Sequence, residues 1–137
     1  MATKRADDPT IRNEDELWRF VHPKQVYFDP QLNRFRPQSG VFIDRSDEMS
    51  VDVARLASLE SARQRLPEHS IAQFTAGEVR GMEAKYRVYS DPILPDNPEQ
   101  EPPNPAHAVV CPQMKNRDAQ KLATSETVWA FLNSPAT

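Results

Sequence analysis

The run Leu17-Trp18-Arg19-Phe20-Val21-His22 is bulky and β-prone, and Pro23 ends it because proline cannot donate to a ladder. A first strand is predicted there. Tyr27 and Phe28 lie between two prolines, residues 29 to 39 read as a turn-rich excursion with Pro30 and Pro37, and Gly40 releases Val41-Phe42-Ile43 as a second short strand. Met49, Val51 and Val53 alternate with Ser50 and Asp52, the period of a half-buried strand, although the stretch equally leads into a helix. Leu56, Leu59 and Ala62 or Arg63 recur at helical spacing, which predicts a helix over 54–65 ended before Pro67, with Val53, Leu56, Leu59 and Leu66 on its core face. Thr75-Ala-Gly-Glu78 fits a capping box and predicts a short helix ending near Gly81. Ala84, Tyr86 and Val88 alternate as a strand, Ala106 to Cys111 is strand-like, and 117–132 is expected as one or two helices burying Ala119, Leu122, Ala123, Trp129 and Leu132.

These elements predict an α+β fold: a small mixed or antiparallel sheet with three or four short helices. Residues 1–12 are polar and contain Pro9, so they are expected as a flexible N-terminal tail, with one domain over 13–133. Asn13 is expected to cap a helical turn carrying Glu14, Asp15 and Glu16. The segment 90–105 holds six prolines with Asp91, Asp96, Glu99 and Glu101 and no base, and is expected as an acidic, extended loop within the domain.

Composition narrows the function classes. With 13 prolines against 3 glycines in 137 residues, Gly40, Gly77 and Gly81 cannot supply a phosphate-cradling loop or a dinucleotide fingerprint. Net charge is −3, so nucleic-acid binding is disfavoured. Cys111 is the single cysteine, which rules out an intrachain disulfide or a thiolate zinc cluster and suits a cytoplasmic location. Neither a secretory signal nor a membrane-spanning run is found, and neither metal nor cofactor is expected. Cys111 is expected as a small buried apolar side chain, too far from His107 along a strand to form a catalytic pair.

Candidate catalytic residues are Arg19, Ser50, His107 and His22. His22 or His107 as acid and base, with Arg19 or Arg80 stabilising a phosphorane, would suit metal-free RNA cleavage. The order Arg19, Ser50, Glu99-x-Glu101 resembles the arginine, serine, glutamate-x-glutamate order of ADP-ribosyltransferases, which implies NAD as substrate, although their Ser-Thr-Ser-like strand is missing. His22, directly before Pro23, also suits a turn-holding role through a hydrogen bond to a backbone carbonyl. Either enzyme requires Arg19, Ser50 and His107 to meet in one pocket.

Leu17-Trp18-Arg19-Phe20-Val21-His22-Pro23, Met49-Ser50-Val51-Asp52 and Pro105-Ala106-His107-Ala108 resemble elements of a family of small bacterial proteins, over most of residues 17–111. The resemblance implies a bacterial cytosolic protein of recurring architecture and carries no activity. The leading expectation is therefore an intracellular binding or accessory protein with a protein partner. Its contact would lie at Pro98, Glu99, Glu101 and Pro102 together with exposed aromatics, and stacking aromatics interleave with bases only around Trp18, Phe28 and Phe35.

Overall fold

A computed structural model describes residues 6–58, 60, 62, 67–94, 96 and 103–125, and the backbone of 129–131. The chain folds as mixed α+β with antiparallel pairing throughout the described strands. The strands are β1 (Glu16–Val21), β2 (Val26–Asp29), β3 (Arg34–Pro37), β4 (Met49–Val53), β5 (Ser70–Thr75), β6 (Arg87–Ser90), β7 (His107–Cys111) and β8 (Trp129–Phe131). Six form one sheet in the order β6-β7-β4-β1-β5-β8, while β2 and β3 form a separate hairpin. The α-helices bounded within the described residues are α1 (Ala76–Arg80) and α2 (Asn116–Thr124), Glu60 and Ala62 are helical as well, and three 3-10 turns lie at Pro23–Gln25, Ser39–Phe42 and Ala54–Leu56.

The main core fills one face of the sheet. Alternation along β1 and β4 aims Leu17, Val21, Met49, Val51 and Val53 to that side, where they meet Phe74 of β5, Val88 of β6, Val110 of β7 and the α2 residues Ala119 and Leu122. Phe42 packs edge-on against Phe74, with ring centroids 5.9 Å apart. The opposite face carries a smaller cluster of Trp18, Ala62 and Ile71. Inside the main core Tyr86 donates its hydroxyl to the buried Asp118 carboxylate at 2.6 Å and accepts from the Lys115 amide at 2.9 Å. Burial, reinforced by that carboxylate, pushes the Tyr86 phenol up to about 12.

Several expectations change. Three or four helices were expected; two are bounded among the described residues, with Glu60 and Ala62 helical besides. Val41-Phe42-Ile43 is not a strand, because Ser39–Phe42 winds into a 3-10 turn that drops Val41 and Phe42 into the core. The expected helix over 54–65 opens as the Ala54–Leu56 3-10 turn with Leu56 exposed; Ala62 donates helically to Ser58 O, and Leu59, Arg63 and Leu66 lie outside the described residues. The turn expected at Asn13 is a single one, closed by the Asp15 amide on Arg12 O at 3.0 Å, and Glu16 already belongs to β1; the Asp15 carboxylate accepts the Arg12 amide at 2.7 Å and binds Arg55 at 2.8 Å. Trp129 lies in β8 rather than on a helix, and Leu132 lies outside the described residues. β5 matches no element in the sequence reading.

The segment from Ala6 to Arg12 belongs to the fold. Ile11 is only 2% exposed and sits in the main core, while Asp8 donates its amide to Val88 O of β6 at 2.9 Å. Residues 1–5 lie outside the described residues.

Candidate partner-binding surface

The expected catalytic residues fall on two sides of the sheet. Arg19 shares its face with Leu17 and Val21, and its guanidinium donates to Val41 O and to Ser50 O, both at 2.9 Å, with Asp44 at 3.7 Å. Burial lowers its pKa from the ordinary value, and the Asp44 charge opposes that shift. Ser50 and His107 project from the opposite face, and the Ser50 group that meets Arg19 is a backbone carbonyl. Arg19, Ser50 and His107 therefore share no pocket.

Each histidine has a local task. His107 Nδ1 lies 2.7 Å from Asp91 O, and since a carbonyl only accepts, this nitrogen carries the proton. Asp91 N–H returns a bond to His107 O at 2.9 Å, and Ile93 and Asn104 exchange a further pair, so the acidic loop is the tied-off connection between β6 and β7. Asn104 also donates to the buried Asp52 at 2.9 Å. His22 holds its turn with the polarity opposite to the sequence expectation: Nδ1 accepts the Lys24 amide at 3.1 Å, and Gln25 closes the capping box. Its ring meets His69 edge-on at 5.3 Å.

This histidine pair gives a pH prediction. Burial first, then the neighbouring His22, lowers the His69 pKa below the ordinary 6.5, with Glu68 opposing. A histidine whose folded pKa is depressed contributes stability that is present above the unfolded value and lost as pH falls through the lower, folded one. His22→Ala is therefore expected to raise the His69 midpoint in an NMR titration of the ring protons; an unchanged or lower midpoint refutes the coupling.

Cys111 is buried beside Tyr89 and Val109, as expected. Pro98, Glu99, Glu101 and Pro102 lie outside the described residues. Among the described residues no three His, Cys, Asp or Glu side chains gather in a geometry that would hold a metal. No described helix is long and apolar enough to cross a membrane. An open groove of about 540 Å³ between α1 and α2 is lined by Glu78, Met82, Glu83, Lys121, Leu122 and Ser125.

Exposed apolar side chains concentrate instead on the β2–β3 hairpin. Tyr27 (42% exposed), Phe28 (45%), Leu32 (38%) and Phe35 (38%) are four of the six large exposed hydrophobic residues among the described residues, the others being the separated Leu56 and Leu94. Phe28 and Phe35 stand opposite each other across the two strands and meet edge-on at 5.2 Å. No family model, curated protein or solved structure matches this chain.

The hairpin is wired internally. Asp29 accepts Arg36 Nε at 2.7 Å and the tip amides of Gln31 and Leu32 at 2.9 and 3.3 Å. The Arg36 bond leads the causes that hold the Asp29 carboxyl below its ordinary pKa. Arg36 lies 5.0 Å over the Tyr27 ring and also donates to Pro37 O, while Arg34 reaches Thr124 O at the end of α2 at 2.9 Å. Asn33 closes the turn at φ 54, a conformation that asparagine tolerates better than most residues. The rings are thus presented on a stiff support that needs little ordering on contact.

Proposed function

We propose that this chain is a small intracellular binding module that docks an apolar groove of a protein partner through the β2–β3 hairpin. The observation that carries the reading is the concentration of exposed aromatic and leucine side chains on twelve residues of preorganised hairpin. Phe28 and Phe35 pair on one face of the hairpin and Tyr27 lies on the other; exposed apolar surface gathered on one element is unusual unless something covers it, and rigid aromatic side chains dominate interface energetics. A protein is favoured over single-stranded nucleic acid because the hairpin's own cations, Arg34 and Arg36, are engaged within the fold rather than presented to a phosphate backbone. The acidic segment around Pro98, Glu99, Glu101 and Pro102 belongs to the same proposal on composition, and a lone cysteine suits a bacterial cytoplasm. With Arg19 on the far face of the sheet, no observation favours the ribonuclease or ADP-ribosyltransferase alternatives.

A photo-crosslinking phenylalanine analogue at position 35, in cells expressing the whole chain, is expected to capture a distinct protein that Phe28→Ser abolishes. The same probe at Leu94, exposed but isolated, is expected to capture nothing in common with it. Absence of any capture at position 35, capture of the chain itself alone, or the same products from both positions overturns the reading.

A further inference from the structure

The outer edge of β6 is covered by carboxylates where a neighbouring strand would place carbonyls. Asp91 N–H faces β7, so alternation turns the backbone groups of Val88 and Ser90 outward, away from the sheet. Asp7 Oδ1 accepts the Val88 amide at 2.9 Å, Asp8 Oδ2 accepts the Ser90 amide at 3.2 Å, and Asp8 N–H donates to Val88 O at 2.9 Å. Arg80 clamps this arm through Asp7 Oδ1, Asp8 O and Asn13 Oδ1 at 2.9–3.0 Å. At the root of the arm Asn13 crosses Gly77 so closely that a Cβ there would lie 3.0 Å from Asn13 Cβ. Open strand edges template pairing with other chains, and short charged segments laid across an edge prevent it.

We infer that the Asp7–Asp8 arm is a displaceable guard on this edge, and that without it β6 pairs antiparallel with β6 of a second copy. The edge is self-complementary about a two-fold axis through Tyr89. In that register Val88 and Ser90 of one copy exchange backbone hydrogen bonds with Ser90 and Val88 of the other, using the amides and the carbonyl that the arm now occupies. Arg87 then stands across from Asp91 of the partner copy on both sides of the axis, an opposite-charge pair at the positions where facing side chains approach most closely. Other extended chains could use the edge, but the charge register favours this one.

The test is the association state of the full-length chain. Asp7→Ala combined with Asp8→Pro removes both acceptors and the Asp8 donor, and is expected to double the mass measured by light scattering, from monomer to dimer, with the Val88 and Ser90 amides protected from hydrogen exchange. Asp91→Arg added to that variant places like charges across the axis and is expected to return it to monomer, while Arg87→Asp together with Asp91→Arg restores the dimer. If the double variant fails to fold, Arg80→Ala, which releases the arm and keeps both carboxylates, reads the same equilibrium. A folded, unguarded chain that stays monomeric overturns the inference, as does a dimer indifferent to reversal at Asp91.

Discussion

Arg19→Ala is expected to lower the unfolding free energy by roughly 3 kcal/mol, because two hydrogen bonds from a charged donor, each worth about 1.5–3 kcal/mol, are lost while their acceptors stay shielded. The guanidinium joins Val41 O, in the turn that delivers Phe42 to the core, to Ser50 O on β4, so one side chain pins the Ser39–Phe42 turn against the sheet. Its side chain is only 19% exposed, which limits the water available to replace those bonds. Lysine should recover little, since a single ammonium cannot match the planar fork that reaches both carbonyls. Urea denaturation followed by tryptophan fluorescence gives the measurement, and a loss under about 1 kcal/mol would place Arg19 among ordinary surface residues. Crosslinking through the hairpin at low temperature, where the variant is still folded, should be unaffected.

That expectation inverts the role the sequence suggested for this residue. Arginine in an apolar strand next to a histidine reads as reactive machinery, yet Arg19 and His22 have opposite parity, which in an unbroken strand points them to opposite faces, and the acceptors that occupy Arg19 are backbone carbonyls that no residue pattern announces. β1 was legible as a bulky, β-prone run, β4 from its alternation and β7 as a short apolar run, and the Thr75 cap of α1 accepts the Glu78 amide at 3.1 Å. β5 was not legible because Ser70, Ile71, Ala72 and Phe74 are all buried, so an inner strand covered on both sides shows no alternation. The hairpin was hidden by its prolines. Pro37 ends β3 opposite Val26, and Pro30 sits at the tip, where neither removes a needed donor. Its aromatics were nonetheless visible as the stretch where rings and bases interleave. Asp7 and Asp8 read as solvated charge, since their partners, the outward amides of β6, lie about eighty residues away in sequence.

Phe42→Ala is the larger of the two expected losses, about 3–5 kcal/mol, the range for emptying a buried aromatic site. Phe42 is fully buried, and it fills the space between the sheet and α2 from a 3-10 turn rather than from a regular element, so its neighbours are fixed by other parts of the fold and cannot collapse into the void. Part of the loss is the edge-to-face contact with Phe74, and such pairs add about 0.5–1.5 kcal/mol beyond burial. A double-mutant cycle with Phe74→Leu isolates that part: the two losses should fall short of additivity by about this amount. Phe42→Leu, which keeps most of the volume, should cost markedly less than alanine. Were leucine and alanine equally damaging, the edge-on ring contact rather than the filled volume would dominate at this site; were both nearly neutral, the turn could not be the wedge that seats α2 on the sheet. Because the hairpin reaches α2 through Arg34 and Thr124 O, loss of that wedge should also loosen the docking surface, seen as faster amide exchange in β3 before global unfolding.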